Sequence, residues 1–139
     1  MALGGAISVD RKLRVQGKSW WPQETLSAAD LATASEDGPV DVMVTHDAPA
    51  GTRIPGIHEG SDSKWPADAI ADSRCHRHQL LQVVADVRPT HVWHGHYHVE
   101  YVDTLPWDDG TTTTVHGLDC DDSHWSRHLM IVRTDGAIT

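Results

Sequence analysis

Hydrophobic and polar positions alternate in short blocks along this 139-residue chain, and the blocks predict a succession of short strands and helices. In residues 4–15, Ala6, Ile7 and Val9 read as a short strand, with a turn around residues 10–12. Ser27 followed three residues on by Asp30 has the spacing of a capping box and predicts a helix start, with Leu26 and Leu31 on its apolar side. Asp37-Gly38-Pro39 stops that helix. Residues 40–44, mostly apolar, predict a strand that runs into Thr45-His46-Asp47-Ala48-Pro49. Residues 50–72 are rich in Gly, Pro, Ser and Asp and read as one long loop. Leu80, Val83, Val84 and Val87 share one helical face, so a helix is predicted over 73–87 and ended by Pro89. A second strand at 90–93 runs into His94-Gly95-His96-Tyr97-His98. Further strands are predicted at 99–105, 111–118 and 128–133, with a turn at Asp108-Asp109-Gly110. Strand–helix–strand followed by hairpin-like strands implies a single layered α/β domain.

Composition narrows the class. A chain of this length buries enough surface to hold a core without staples. Hydrophobic residues at 39% exclude a disordered tail, and no apolar run reaches the roughly 20 residues that span a bilayer. The first ten residues lack a secretory signal, and Cys75 and Cys120 form no disulfide framework, so a cytoplasmic protein is expected. A net charge of −9 opposes nucleic acid as a partner. Eleven histidines equal all the lysines and arginines together and are spread from His46 to His128, unlike a terminal tag.

Two segments share a design: MVTHDAP and VWHGHYH each carry an apolar strand into polar side chains at its carboxyl end, where α/β sheets gather their functional groups. On an extended backbone His96 and His98 point the same way, and Gly95 permits close approach or an unusual φ. Neutral imidazoles bind zinc, iron, nickel and manganese-class ions. The pattern therefore permits a metal site built from His46, His96 and His98; the alternative is a solvated face. His91 and His94 read as structural or as supports for ligands. His76, His78, His124 and His128 read as surface residues, His116 as ambiguous, and His58, in the long loop, as a possible substrate contact. The sequence has no GxSxG, GxxxxGK[ST] or GxGxxG motif. A Cys75–His nucleophile is disfavoured because Cys75, His76 and His78 point to different sides of a helix. With no Phe in the chain, most of the six tryptophans are expected to fill the core, while Trp20 and Trp21 are candidates to line a cleft.

Taken together, these segments resemble the calcineurin-like metallophosphoesterases. GHYH at 95–98, after a helix ending in Arg88-Pro89 and a strand, is similar to the family's GHxH motif, and THDAP at 45–49 is similar to the single-histidine motif before it. GGAISVD and RVQGKSWWPQE resemble an actinobacterial and phage subgroup. The resemblance implies a sandwich of two sheets flanked by helices, divalent metal ions (manganese, zinc, iron or nickel) and hydrolysis of a phosphomonoester or phosphodiester by metal-activated water. It implies that His46 and His96 bind one metal and His98 the other, with Asp47 and His94 as supports. The family's earlier motifs lie upstream of the GGA segment, and the chain contains no GD-x-x-D and no GNH. The expectation is a C-terminal half with an incomplete site, working with a missing N-terminal half or as a homodimer. The alternative is a non-catalytic metal-binding or regulatory module.

Overall fold

The computed structural model describes residues 1–36, 38–57 and 64–131. The elements are β1 (Ala2–Leu3), α1 (Ala28–Glu36), β2 (Val42–Thr45), α2 (Ala67–Val87), β3 (His91–His94), β4 (Tyr101–Pro106) and β5 (Thr112–Gly117). They form a mixed α/β fold with one five-stranded sheet in the order β1-β2-β3-β5-β4. β1, β2, β3 and β5 run parallel, and β4 is antiparallel to β5 at the edge. The β4–β5 hairpin folds back so that β5, not β4, lies beside β3. The mixed α/β class is as expected, and no second sheet occurs among the described residues.

Both helices contribute to the core on one face. Met43, Val92 and Val115 stand in register across β2, β3 and β5 and are buried with Ala34 of α1 and Leu80, Val83, Val84 and Val87 of α2. The opposite face carries Val44, Trp93, His116 and Val102 in one cross-strand row. Val44 is 49% and Val102 65% exposed.

Several local signals held. Ser27 Oγ accepts from the Asp30 N–H at 3.2 Å while Asp30 accepts from the Ser27 N–H at 2.9 Å, completing the capping box. After α2, Arg88 adopts φ 47° and donates its N–H to the Val84 carbonyl at 2.9 Å, a left-handed cap ahead of Pro89. Other expectations are corrected. Ala6 and Ile7 are buried but lie in irregular chain, and the first strand is Ala2–Leu3. Gly5 stands between them with φ 106°, where a Cβ would lie 2.9 Å from the Glu24 carbonyl oxygen. α2 begins at Ala67, inside the segment read as loop. Its polar first turns are held from outside the helix: Arg11 pairs with Asp72 at 2.6 Å and Lys12 with Asp68 at 2.9 Å. Residues 128–131 form no strand, and the rest of that predicted strand lies outside the described residues. Of the tryptophans only Trp93 is buried. No helix among the described residues is long and apolar enough to cross a membrane.

Candidate functional site

β2 and β3 are parallel neighbours, so their carboxyl ends deliver two polar turns to the same edge of the sheet. From β2 comes His46, exposed, followed by Asp47, fully buried. From β3 come Gly95, His96, Tyr97 and His98. His96 and His98 have φ of 69° and 54°, left-handed values uncommon for residues other than glycine. The Tyr97 N–H donates to the Gly95 carbonyl at 2.8 Å and closes a three-residue γ-turn centred on His96. The two histidines therefore do not share a strand face, as an extended backbone would require. Gly95 needs no positive φ, and a Cβ there would meet nothing within 4 Å. The strain falls on the histidines themselves. Such outliers, costing about 1–3 kcal/mol each, persist only where the surroundings enforce them.

The enforcing contacts lie underneath. Asp47 accepts the Tyr97 hydroxyl at 2.7 Å, the Ala48 N–H at 2.7 Å and the Nδ1–H of His76 at 2.9 Å. This carboxylate locks the β3 turn to the β2 turn and both to α2. Burial alone would raise its pKa; hydrogen bonds from His76 and Tyr97 and the nearby His96 outweigh burial and hold it below the usual range. Burial, and Asp47 beside it, push the Tyr97 hydroxyl up, so it stays a donor. His94, also buried, bonds through Nδ1 to the Gly95 carbonyl at 2.9 Å and through Nε2 to the Tyr101 hydroxyl at 2.5 Å. A carbonyl only accepts, so Nδ1 carries the proton and Nε2 accepts from Tyr101. Burial drives the His94 pKa down to about 4, consistent with this neutral tautomer. Tyr101 reaches across because its cross-strand partner is Gly117; a Cβ at that position would overlap the Tyr101 ring.

Above this layer His46, His96 and His98 line one cleft of about 790 Å³. The His46 and His96 rings stand 5.1 Å apart, centre to centre, edge on. Burial lowers the His96 pKa, and the surrounding His46, His76 and His98 lower it further against the pull of Asp47. The neutral form with a free lone pair, the form that ligates metals, is thereby favoured. Two imidazoles on one ion with metal–nitrogen bonds of about 2.1 Å place their ring centres roughly 5 Å apart, a spacing the pair shares. No group of three His, Cys, Asp or Glu side chains among the described residues is placed to hold a metal. Among the described residues the same cleft is lined by Arg14, Lys64, Arg74 and Arg77 against Asp10 and Glu24, an excess of cations in a chain of net charge −9.

Asp47 and His94 lie beneath the cleft, and His58 lies outside the described residues. Trp20 and Trp21 are not on the cleft; Trp65 is. His76, expected on the surface, is 1% exposed and ties α2 to Asp47. The signal was present: the Leu80, Val83, Val84, Val87 stripe extended one turn back reaches His76 and Arg77. Arg77, buried beside it, donates to the carbonyls of Ala48, Pro49 and Thr52 at 3.1–3.2 Å and shapes the turn after β2. Cys75 is exposed while His76 is buried, so no Cys–His pair forms there. The chain matches no protein-family model, no curated protein and no solved structure.

Proposed function

We propose that the cleft is part of a metal-dependent phosphoesterase site, in which His46 and His96 hold a divalent ion and a phosphoester occupies the cation-lined space beside them. The observation that carries this reading is the closeness of the two imidazoles, 5.1 Å between ring centres, at the ends of adjacent parallel strands. A divalent ion there would supply Lewis acidity toward the phosphoryl oxygens and a water of lowered pKa. The protein's own part is positional. Asp47, Tyr97 and His76 hold His96 in its left-handed turn, and burial keeps that imidazole neutral. By the resemblance His98 would serve a second ion, and the remaining ligands and the acid would come from another segment or chain.

A second reading, a non-catalytic metal-binding module, needs only the His46–His96 pair, with ring centres 5.1 Å apart. Two protein ligands give weak binding, since tight zinc sites use three or four. Calorimetry with zinc, manganese and nickel tests the site itself. Weak binding that disappears in the His46→Ala/His96→Ala double variant is expected; equal binding by both proteins withdraws the assignment. Hydrolysis of an aryl phosphodiester with excess manganese then separates the readings. The isolated chain is expected to be marginal, because members of a coupled catalytic unit fail together. Addition of an upstream half should restore turnover only under the first reading. Robust turnover by the isolated chain that survives His46→Ala and His98→Ala would place the chemistry elsewhere.

A further inference from the structure

The four cations of the cleft are not equivalent. Arg14 is committed to Asp10, with Nε 2.8 Å from the carboxylate, and to the Ser19 carbonyl at 3.1 Å. Arg77 is engaged by backbone carbonyls. The ammonium of Lys64 sits over the Trp65 ring, 4.9 Å from its centre. Arg74 differs: its Nε is enclosed and has no acceptor among the described residues. Among the described residues three other enclosed side-chain atoms lack a partner, on Thr52, His76 and Trp93, and none of those residues lines this cleft. The carboxylates that line the cleft among the described residues do not serve Arg74. Glu24 accepts from Ser8 at 2.9 Å and from the Trp21 N–H at 3.1 Å, and Asp10 faces Arg14. On α2, Ile70, Ser73, Arg74 and Arg77 form one stripe along the cleft, so Arg74 is presented by a rigid helix.

An enclosed guanidinium N–H without an acceptor is costly, and the cost is removed when a ligand supplies the acceptor. A guanidinium edge matches two oxygens of one anion, the geometry of phosphate recognition. We propose that Arg74 anchors the ligand of this cleft by donating its Nε–H to an oxyanion, and that the oxyanion is the phosphoryl group of a phosphoester. The choice of phosphate rests on the function proposed above; the anchoring role rests on Arg74 alone and needs no metal.

The test uses the full chain treated with a chelator and titrated with inorganic phosphate. The Arg74 Nε–H resonance, assigned by its loss in Arg74→Lys, is expected to move downfield and saturate. Arg74→Gln should weaken phosphate binding tenfold or more, and Arg74→Lys should recover part of it as a point charge. The charge control Lys18→Gln, outside the cleft, should bind within about twofold of wild type. A stationary Nε–H resonance at saturating phosphate overturns the proposal, as does wild-type affinity in a folded Arg74→Gln. Should that variant unfold, the wild-type titration decides alone. Loss of metal binding with a moving Arg74 signal would sink the phosphoesterase reading and leave the anchor standing; the reverse result would do the opposite.

Discussion

Two histidine pairs in this molecule look alike by distance and differ in everything else. His46 and His96 have ring centres 5.1 Å apart; His91 and His116 have theirs 5.3 Å apart. The second pair sits on the outward face of the sheet, in neighbouring strands β3 and β5. One ring nitrogen bonds to the other at 3.1 Å, and both rings stack on Trp93 at 5.4 and 5.1 Å. Its backbone is ordinary strand, and its lone pair is used internally. The first pair stands beyond the strand ends, has one member in a strained left-handed turn, opens onto a cleft, and rests on a buried carboxylate with three donors. Proximity of imidazoles therefore marks a candidate site only when the lone pairs are unspent and the backbone is held against its preference.

The largest expected effect breaks the support of the cleft pair. Asp47→Ala leaves the His76 Nδ1–H, the Tyr97 hydroxyl and the Ala48 N–H without their acceptor in the interior. Urea denaturation should show a loss of about 3–5 kcal/mol, the usual cost of removing one partner from a buried charged network. A change below about 1 kcal/mol would mean that the clasp does not hold the two turns together. Metal titration sharpens the comparison next. His46→Ala or His96→Ala should lower zinc affinity tenfold or more, while His91→Ala and His116→Ala should leave it within about threefold; each tenfold step corresponds to about 1.4 kcal/mol. The opposite pattern would make the sheet-face pair the metal site. Tyr101→Phe removes only the hydroxyl that satisfies His94 Nε2, at an expected cost of about 1 kcal/mol in thermal or urea unfolding.

The smallest effect belongs to the sheet-face pair and is read by pH. Burial, then the neighbouring His91, lowers the His116 pKa below the ordinary 6.5. The folded chain then binds fewer protons than the unfolded one, so this contribution is intact above pH 6.5 and is lost as pH falls from there through the lower folded pKa. His94 and His96 act in the same direction, so the difference between wild type and His116→Gln isolates the pair. The variant should lose less stability between pH 7 and pH 5.5 than wild type; an identical slope would show that His116 titrates as in the unfolded chain.

Much of this was legible in residue order. The capping box at Ser27 and Asp30, the apolar stripe of α2, the β-branched strands and the two strand-to-histidine junctions each depend on neighbours within a few positions, where side-chain periodicity and turn chemistry act directly. The early start of α2 was not legible, because its polar first turns are secured by Arg11 and Lys12, more than fifty positions upstream. His76 read as surface because its burial depends on Asp47, which meets it only when β2 and α2 pack.

Sequence by itself determined the α/β class, the placement of His46, His96 and His98 beyond strand ends, and the net charge of −9. Tertiary structure alone decided that β5 inserts beside β3, that Tyr97 turns inward onto Asp47 while its neighbours turn left-handed, and that the enclosed Arg74 Nε has no acceptor among the described residues. Local preferences are set within a turn or a strand. Which polar group finds a partner, and which is left without one, depends on segments that meet only after loop closure across tens of residues.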